Sequence, residues 1–381
     1  MPRLPPDTLL ASLDPETRAT LERHGFNEAR FEELRACVAS GALSPSGNIV
    51  RGVIEPPGDD DLTRLPVPGE PLWARAHERG MTAIRRGEVA SAVLNGGMAT
   101  RFGGVVKGVV ESVDGRSFLE WKLISAVEAA RAAAGAVPCL VMNSFATDAV
   151  TRAFLAGLGE RGVGLLEPLL FTQFVSLRLT GDGNLFRDHA GRASLYAPGH
   201  GDFPEAMRRS GALEALRRRG VHLVMLSNVD NLGARVDPVV IGMHILGGRP
   251  LTSEVAAKAP GDAGGSPARV DGRLRVVEGF CFPPDFEQER IRVFNVNSFV
   301  FDLDLLAAPH DLTWFSVEKR VDGQPAVQLE RLVNELTAFV PTTYLEVPRT
   351  GPRGRFFPVK EPEDLERLRP ALRELLSTPV A

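Results

Sequence analysis

Lysine is nearly missing from this chain of 381 residues. Lys107, Lys122, Lys258, Lys319 and Lys360 are the whole set, and all other members of the 44 Lys and Arg residues are arginine. A GC-rich genome explains such a bias more readily than chemistry does. It nevertheless makes each retained lysine informative, because a site that needs a compact point charge cannot take arginine's planar fork. Cysteine is scarce too. Cys37, Cys139 and Cys281 stand far apart with no Cys-x-x-Cys pair, a spacing that indicates neither a zinc site nor a disulfide framework. No stretch approaches the ~18 apolar residues of a membrane span, and the opening Met-Pro-Arg-Leu-Pro-Pro lacks the apolar core of a signal peptide. A cytoplasmic protein with no membrane partner is therefore expected. The formal net charge of −4 is too small to favour nucleic acid. The GxGxxG and Walker spacings are missing, and no Ser/His/Asp or Cys/His hydrolase pattern stands out. That fits a reaction needing no protein nucleophile.

What is present is an ordinary globular composition, 44% hydrophobic and 24% charged. At roughly 150 residues per domain the length suggests two or three units. Residues 1–85 read as an N-terminal helical region. Asp14-Pro15-Glu16 supplies a cap, a proline at the first helical position and an acidic first turn, and Leu21, Phe31, Leu34 and Val38 follow at helical spacing. The stretch Pro56 to Pro71 reads as a loop, with Asp59-Asp60-Asp61 as a solvated acidic run rather than a metal cluster.

Residues 86–310 alternate between strand and helix. Buried strands are predicted at Val89–Leu94, Val137–Met142 and Val221–Ser227, and helices at Phe118–Ala134, Ala146–Leu158 and Gly211–Arg219. This order implies an α/β core of mainly parallel strands, whose ligands bind beyond the strands' carboxyl ends. Residues 268–304 look more antiparallel, with a hairpin turning at Asp271-Gly272. Residues 311–381 form a C-terminal extension that mixes strand and helix and closes on an amphipathic helix, Glu363 to Leu376.

Four segments could carry chemistry. Asn95-Gly96-Gly97-Met98-Ala99-Thr100-Arg101-Phe102-Gly103-Gly104 follows a predicted strand, with Lys107 just beyond. Its glycines let backbone N–H groups approach an anion, and Arg101 and Lys107 add positive charge; a tight turn holding no ligand fits the same pattern. Asp230, flanked by Asn228 and Asn231 after an apolar strand, suits a hard cation bound to substrate phosphates, although a lone Asp there more often caps a turn. His200, bracketed by Gly199 and Gly201, could bind a ligand hydroxyl or carbonyl, act as a base, or satisfy a loop carbonyl. Asn295 and Asn297 alternate along an apolar strand, so both amides project from one face; a sugar or backbone groups would be their partners.

In order along the chain, these segments resemble the eukaryotic-type UTP–glucose-1-phosphate uridylyltransferase family. The matching pieces are Leu-Asn-Gly-Gly-Met-Ala-Thr at 94–100, Met-Asn-Ser-Phe at 142–145 with Thr147-Asp148, Gln173, and Pro-Gly-His-Gly-Asp at 198–202. They continue with Ser-Asn-Val-Asp-Asn-Leu-Gly-Ala at 227–234, Glu254-Val255 with Lys258, Phe-Asn-Val-Asn at 294–297 and Arg-Phe-Phe-Pro-Val-Lys at 355–360. The resemblance implies a GT-A-like nucleotidyltransferase core with a mixed, mainly parallel sheet. It implies UTP and glucose 1-phosphate as substrates, Mg²⁺ as cofactor, and UDP-glucose and pyrophosphate as products. By the same resemblance Leu94, Asn95, Gly96 and Gly97 lie against the uridine and phosphates, and Gln173 and Gly199 face the uracil. Lys107 contacts the triphosphate, His200, Asn228 and Asn297 lie near the sugar phosphate, Asp230 binds the metal, and Lys258 and Lys360 lie near the phosphates. Arg101 joins the three lysines as a candidate catalytic cation.

The sequence departs from the family pattern in three places. Ala99 stands where glycine is usual, and Gly103-Gly104-Val105-Val106-Lys107-Gly108 replaces the usual Lys-Gly-Pro-Lys. The family's C-terminal left-handed β-helix has no counterpart after Lys360, so oligomerisation is not assignable. Thr100-Arg101-Phe102-Gly103 resembles the Thr-Arg-Leu-Gly of N-acetylhexosamine pyrophosphorylases, whereas Gly199-His200-Gly201 favours glucose over their Gly-Asn-Gly. The alternatives are a pyrophosphorylase for N-acetylglucosamine or galactose 1-phosphate, or a nucleotide-binding relative without catalysis.

Overall fold

Alternation of side chains along the Val89–Asn95 strand sets the layering of the protein. Val89 and Val93 enter one buried cluster, and Ala90, Ala92 and Leu94 enter another on the opposite face. A strand covered on both faces needs apolar residues at nearly every position, which is why the segment reads as a continuous run. The computed structural model describes residues 9–97, 104–160, 167–262 and 264–378.

Among the described residues, eight strands form the central sheet. Their order is Leu62–Arg64, Thr342–Glu346, Leu251–Ala257, Val293–Asp302, Leu223–Asn228, Val89–Asn95, Cys139–Asn143 and Leu169–Thr172. Neighbours pair in parallel, except that Val293–Asp302 runs antiparallel to both of its partners. The expected mixed, mainly parallel sheet is present. The predicted hairpin is present too, pairing Ser266–Val270 with Arg273–Val277. Asp271 and Gly272 both take positive φ, 49° and 78°, as a two-residue hairpin turn of the primed kind requires.

Helices cover both faces. Pro71–Arg85, Phe118–Ala133, Pro238–Gly247 and Pro362–Ser377 pack on the Val89 and Val93 side, and Phe203–Ser210, Ala212–Arg218 and Leu303–Ala307 on the other. Phe118–Ala133 starts where its sequence says it should. Ser117 Oγ accepts from the Glu120 amide, and Glu120 Oε2 accepts from the Ser117 amide at 2.7 Å, a reciprocal capping box. The N-terminal periodicity resolves into two helices, Pro15–Arg23 and Glu28–Ala39, capped by Asp14 and Asn27. Leu21, Phe31, Leu34 and Val38 bury together against Leu177, Leu179, Val327 and Leu329.

The stretch Pro56 to Pro71 differs from the loop expected there. Leu62–Arg64 is the edge strand of the central sheet, pairing with Tyr344–Glu346. Three residues between prolines carry no local strand signal, and the pairing that holds them is contributed from far along the chain. In the acidic run Asp59 and Asp60 are exposed, while Asp61 forms an ion pair with Arg269.

Two glycines let Pro71–Arg85 and Pro238–Gly247 approach each other at backbone distance. A Cβ on Gly80 would lie 1.8 Å from the Pro238 carbonyl oxygen, and one on Gly242 would lie 1.8 Å from the Ala76 carbonyl oxygen. Alanine gains about 1 kcal/mol of helix propensity over glycine, but overpacking at this contact costs about 1–3 kcal/mol or more. Gly242→Ala is expected to lower the thermal unfolding midpoint; a midpoint at or above that of the parent protein would contradict the close-approach reading.

Candidate active site

The carboxyl ends of Val89–Asn95, Cys139–Asn143 and Leu223–Asn228 share one edge of the sheet. There the chain must turn out of the sheet, and the polar residues of the sequence motifs gather. Asn95 is buried, and its Nδ2 donates to Asn143 Oδ1 at 2.8 Å and to Thr151 Oγ1 at 2.9 Å. Its carbonyl accepts from Thr147 Oγ1 at 2.8 Å. The side chain therefore braces the strand ends, and the chain that continues past it is Gly96 and Gly97. A Cβ on Gly96 would lie 2.7 Å from Gln173 Oε1, so glycine there brings the backbone against the buried Gln173 amide. Gly97 has φ of 94°, and its carbonyl accepts from Ser144 Oγ at 2.6 Å. Leu94 lies in the core just before the turn. Arg101 falls outside the described residues.

Asp230 occupies the loop after Leu223–Asn228. Lys107 reaches it from the other side of the glycine segment: Nζ lies 2.9 Å from Asp230 Oδ2, 2.8 Å from the Val359 carbonyl and 3.5 Å from the Lys360 carbonyl. The Asp230 carbonyl accepts from the Val359 amide at 3.2 Å. Asn231 completes the junction, donating to the Arg355 carbonyl at 3.0 Å and accepting from the Phe357 amide at 2.9 Å. Asp230, Lys107 and the backbone of Lys360 thus meet, although they are more than a hundred residues apart in sequence.

The remaining predicted lysine lies farther out. Lys258 donates to the Gln288 carbonyl at 3.0 Å, and burial holds it below the usual lysine range, partly offset by Glu289 and Asp262. Asp262 also feels Lys360, whose side chain is exposed. Asp262, which interacts with the charges of both lysines, is itself paired with Arg349.

Asn228 and Asn297 touch directly. Asn297 Nδ2 donates to Asn228 Oδ1 at 2.8 Å. The simple alternation expected for Asn295 and Asn297 is interrupted. The register against Leu251–Ala257 shifts between Ser253 and Val255, and Asn297 takes φ of 53°, a left-handed conformation asparagine tolerates better than most residues. Asn297 Oδ1 is buried with no hydrogen-bond partner. Such an acceptor is costly unless a donor meets it.

Gly199 and Gly201 press on the backbone of Arg331, where a Cβ on either would lie 2.5 Å from an Arg331 backbone atom. Between them His200 Nδ1 accepts from the Val333 amide at 3.0 Å. The ring therefore satisfies an amide, carries its proton on Nε2 and presents a neutral donor. Burial pushes His200 down to about 4. Asp202, fully buried, accepts from Arg331 Nη2 at 2.6 Å and from the Phe174 amide at 3.1 Å.

Two groups were given no role in the reading of the sequence motifs. Lys122 is buried on Phe118–Ala133 and donates to Ser227 Oγ, the Asn231 carbonyl and the Ala234 carbonyl. Burial, with Arg355 acting in the same direction, pushes it down to about 7. Its signal was its survival as lysine in a chain that uses arginine almost everywhere. Arg355 forms a buried pair with Glu254 and a longer contact to Asp237; nothing in the sequence announces that pairing.

Among the described residues no three His, Cys, Asp or Glu side chains are grouped to hold an ion. Asp230 alone still fits a hard cation. It is a partly exposed carboxylate, and Mg²⁺ commonly binds through one or two carboxylates, keeping waters and taking the rest from substrate phosphates; a metal there would displace Lys107 toward the phosphates.

The profile of the family described as UTP–glucose-1-phosphate uridylyltransferase matches residues 74–375. The enzyme of that name from Solanum tuberosum is 30% identical over 292 residues, covering 71% of this chain and 59% of the relative. That from Saccharomyces cerevisiae is 30% identical over 297 residues, covering 73% and 58%. The chain thus spans less than two thirds of the length of these relatives. Among solved structures, the UDP-N-acetylglucosamine pyrophosphorylase of Trypanosoma brucei superposes with a TM-score of 0.76 at 21% identity, over 94% of this chain and 80% of the other. The UDP-glucose phosphorylase of the same organism gives 0.72 at 23%, over 92% and 77%. The fold is that of a nucleotidyltransferase-like core.

A histidine held near 4 in the folded protein and about 6.5 when unfolded makes stability depend on pH. Between those values the unfolded chain takes up a proton that the folded chain refuses, so stability falls as pH drops through the window, by up to about 1 kcal/mol per pH unit. Urea unfolding from pH 6.5 to 4.5 is expected to show a shallower decline for His200→Gln than for the parent. Equal slopes would contradict the neutral ring.

Proposed function

This chain belongs to the UTP–glucose-1-phosphate uridylyltransferase family, and we propose that it joins UTP and glucose 1-phosphate into UDP-glucose and pyrophosphate. The observation that carries the reading is the junction of Asp230, Lys107 and the Val359–Lys360 backbone at the carboxyl edge of the sheet. A cationic lysine beside a carboxylate, next to a glycine turn, is an arrangement for a metal-bound triphosphate rather than for hydrolysis by a protein nucleophile.

In the proposed reaction an oxygen of the glucose 1-phosphate phosphate attacks the α-phosphorus of UTP. The new P–O bond forms as the bond from the α-phosphorus to the bridging oxygen breaks, and pyrophosphate leaves with that oxygen's electron pair. The attacking phosphate is ionised near neutral pH, so no base is needed, in keeping with a neutral His200 whose Nδ1 is already engaged. The protein's work is to bring two anions into line and neutralise them. Positioning supplies about 7–11 kcal/mol of such a barrier, and each preorganised donor or cation about 3–4 kcal/mol. Gly96, Gly97, Gln173 and Gly199 would seat the uridine, and Asn228, Asn297 and His200 the sugar phosphate. Lys107, Lys258, Lys360 and Arg101 would counter the phosphate charge. Asp230 and the substrate phosphates would hold Mg²⁺, which would supply Lewis-acid stabilisation of the developing charge.

Purified protein given UTP, Mg²⁺ and glucose 1-phosphate is expected to release pyrophosphate, faster than with N-acetylglucosamine or galactose 1-phosphate. UTP binding by calorimetry without turnover on any of these sugars would identify a non-catalytic relative and overturn the proposal. A higher rate with another sugar would overturn the glucose assignment. Asp230→Ala is expected to lower turnover by about 100-fold and Lys360→Ala at least about tenfold, with unchanged unfolding midpoints. A Lys360→Ala rate equal to the parent's would remove the C-terminal segment from the chemistry.

A further inference from the structure

Lys122 is buried, with 5% of its surface exposed, in a chain that otherwise spends arginine on almost every cationic position. Its ammonium makes hydrogen bonds of 3.0 Å to Ser227 Oγ, 2.5 Å to the Asn231 carbonyl and 2.9 Å to the Ala234 carbonyl. Two of the acceptors belong to the loop that carries Asp230, and the third to the strand that enters it. Ser227 stands at the end of the Leu223–Asn228 strand, Asn231 just beyond Asp230, and Ala234 at the loop's far side. The charge thus holds the loop on both sides of Asp230 from a helix rooted in the core.

We propose that Lys122 is a positioning residue that fixes the Asp230 carboxylate for its metal by tying the loop on both sides of it. The inference rests on the reading of Asp230 as a metal ligand given above. Burying an ammonium is costly, and here no carboxylate touches it; what offsets the cost is three charge-assisted bonds to oxygen. The three hydrogens of an ammonium diverge and suit three acceptors from different directions. Arginine's flat guanidinium does not present donors that way, which explains why this position kept lysine. Groups that orient a metal ligand without touching the metal typically change metal affinity or activity about 10–100-fold when lost.

The test measures Mn²⁺ binding to protein saturated with UDP-glucose, from the EPR signal of free Mn²⁺, together with turnover and the unfolding midpoint. Lys122→Met is expected to weaken Mn²⁺ binding about tenfold or more and to raise the apparent KM for Mg²⁺, with the KM for glucose 1-phosphate unchanged. Lys122→Arg is expected not to restore Mn²⁺ binding. Lys122→Met added to Asp230→Asn is expected to cost no further turnover, because its effect runs through that carboxylate. A full additional loss in that background would mark a general structural role and overturn the inference. If Asp230→Asn loses Mn²⁺ while Lys122→Met binds it like the parent, the inference alone fails. If Asp230→Asn binds Mn²⁺ like the parent, the metal reading fails and takes the inference with it. Should Lys122→Met not fold, Ser227→Ala decides by removing one of the three acceptors: weakened Mn²⁺ binding supports the inference, and unchanged binding overturns it.

Discussion

A buried ion pair between Arg355 and Glu254 holds the candidate site together. Glu254 lies on Leu251–Ala257, the third strand of the eight, and is fully buried, and Arg355 is 4% exposed. The guanidinium meets the carboxylate through Nε and, at 2.7 Å, through Nη2, while Nη2 also donates to the Arg235 carbonyl at 3.2 Å and Nη1 lies 3.4 Å from Asp237. Neither charge could be left there alone; breaking such a pair typically costs about 3–5 kcal/mol. The pair pins the start of the Arg-Phe-Phe-Pro-Val-Lys segment to the sheet. From there Asn231 grips the Arg355 carbonyl and the Phe357 amide, and Val359 reaches Asp230 and Lys107. A segment far from the glycine turn in sequence becomes one wall of the same site.

The other walls are built by removing side chains. Gly96 lets the backbone lie on Gln173, and Gly199 and Gly201 lie on Arg331. Gly233 allows the Asp230 loop to press on the C-terminal segment, since a Cβ there would meet Arg355 at 2.7 Å. Around these backbone contacts the polar side chains divide into two kinds. Asn95, Asn143, Thr147, Thr151 and Lys122 spend their hydrogen bonds on the protein and stiffen the frame. Lys107 and Asp230 hold groups that a ligand could engage, a partly exposed ion pair.

Much of this was legible in the sequence where the determining forces are local. The Val89–Asn95 strand shows as an apolar run because both its faces are buried, Phe118–Ala133 falls within one residue of the predicted helix, and the Asp271-Gly272 turn closes the predicted hairpin. Some motif residues meet in the fold: Asn228 lies beside Asn297, and Lys107 on Asp230. What the sequence concealed depends on distant partners. Leu62–Arg64 becomes a strand only because Thr342–Glu346 pairs with it. Asn297 leaves the strand alternation at an irregularity in register against a strand some forty residues earlier. The Asn95 side chain finds its acceptors on Asn143 and Thr151, some fifty residues further along the chain. Lys122 and Arg355 find their acceptors only after folding.

The central claim is that Asp230 and Lys107 form the place where a metal-bound triphosphate sits. Crystals grown with UTP and Mn²⁺ test it most directly, because the anomalous signal locates the metal independently of the surrounding density. The account predicts a manganese peak on the Asp230 carboxylate, the triphosphate within reach of Lys107 Nζ, and the uracil against Gly96, Gln173 and Gly199. Manganese and nucleotide bound together elsewhere on the protein, with Lys107 still paired to Asp230, would contradict it.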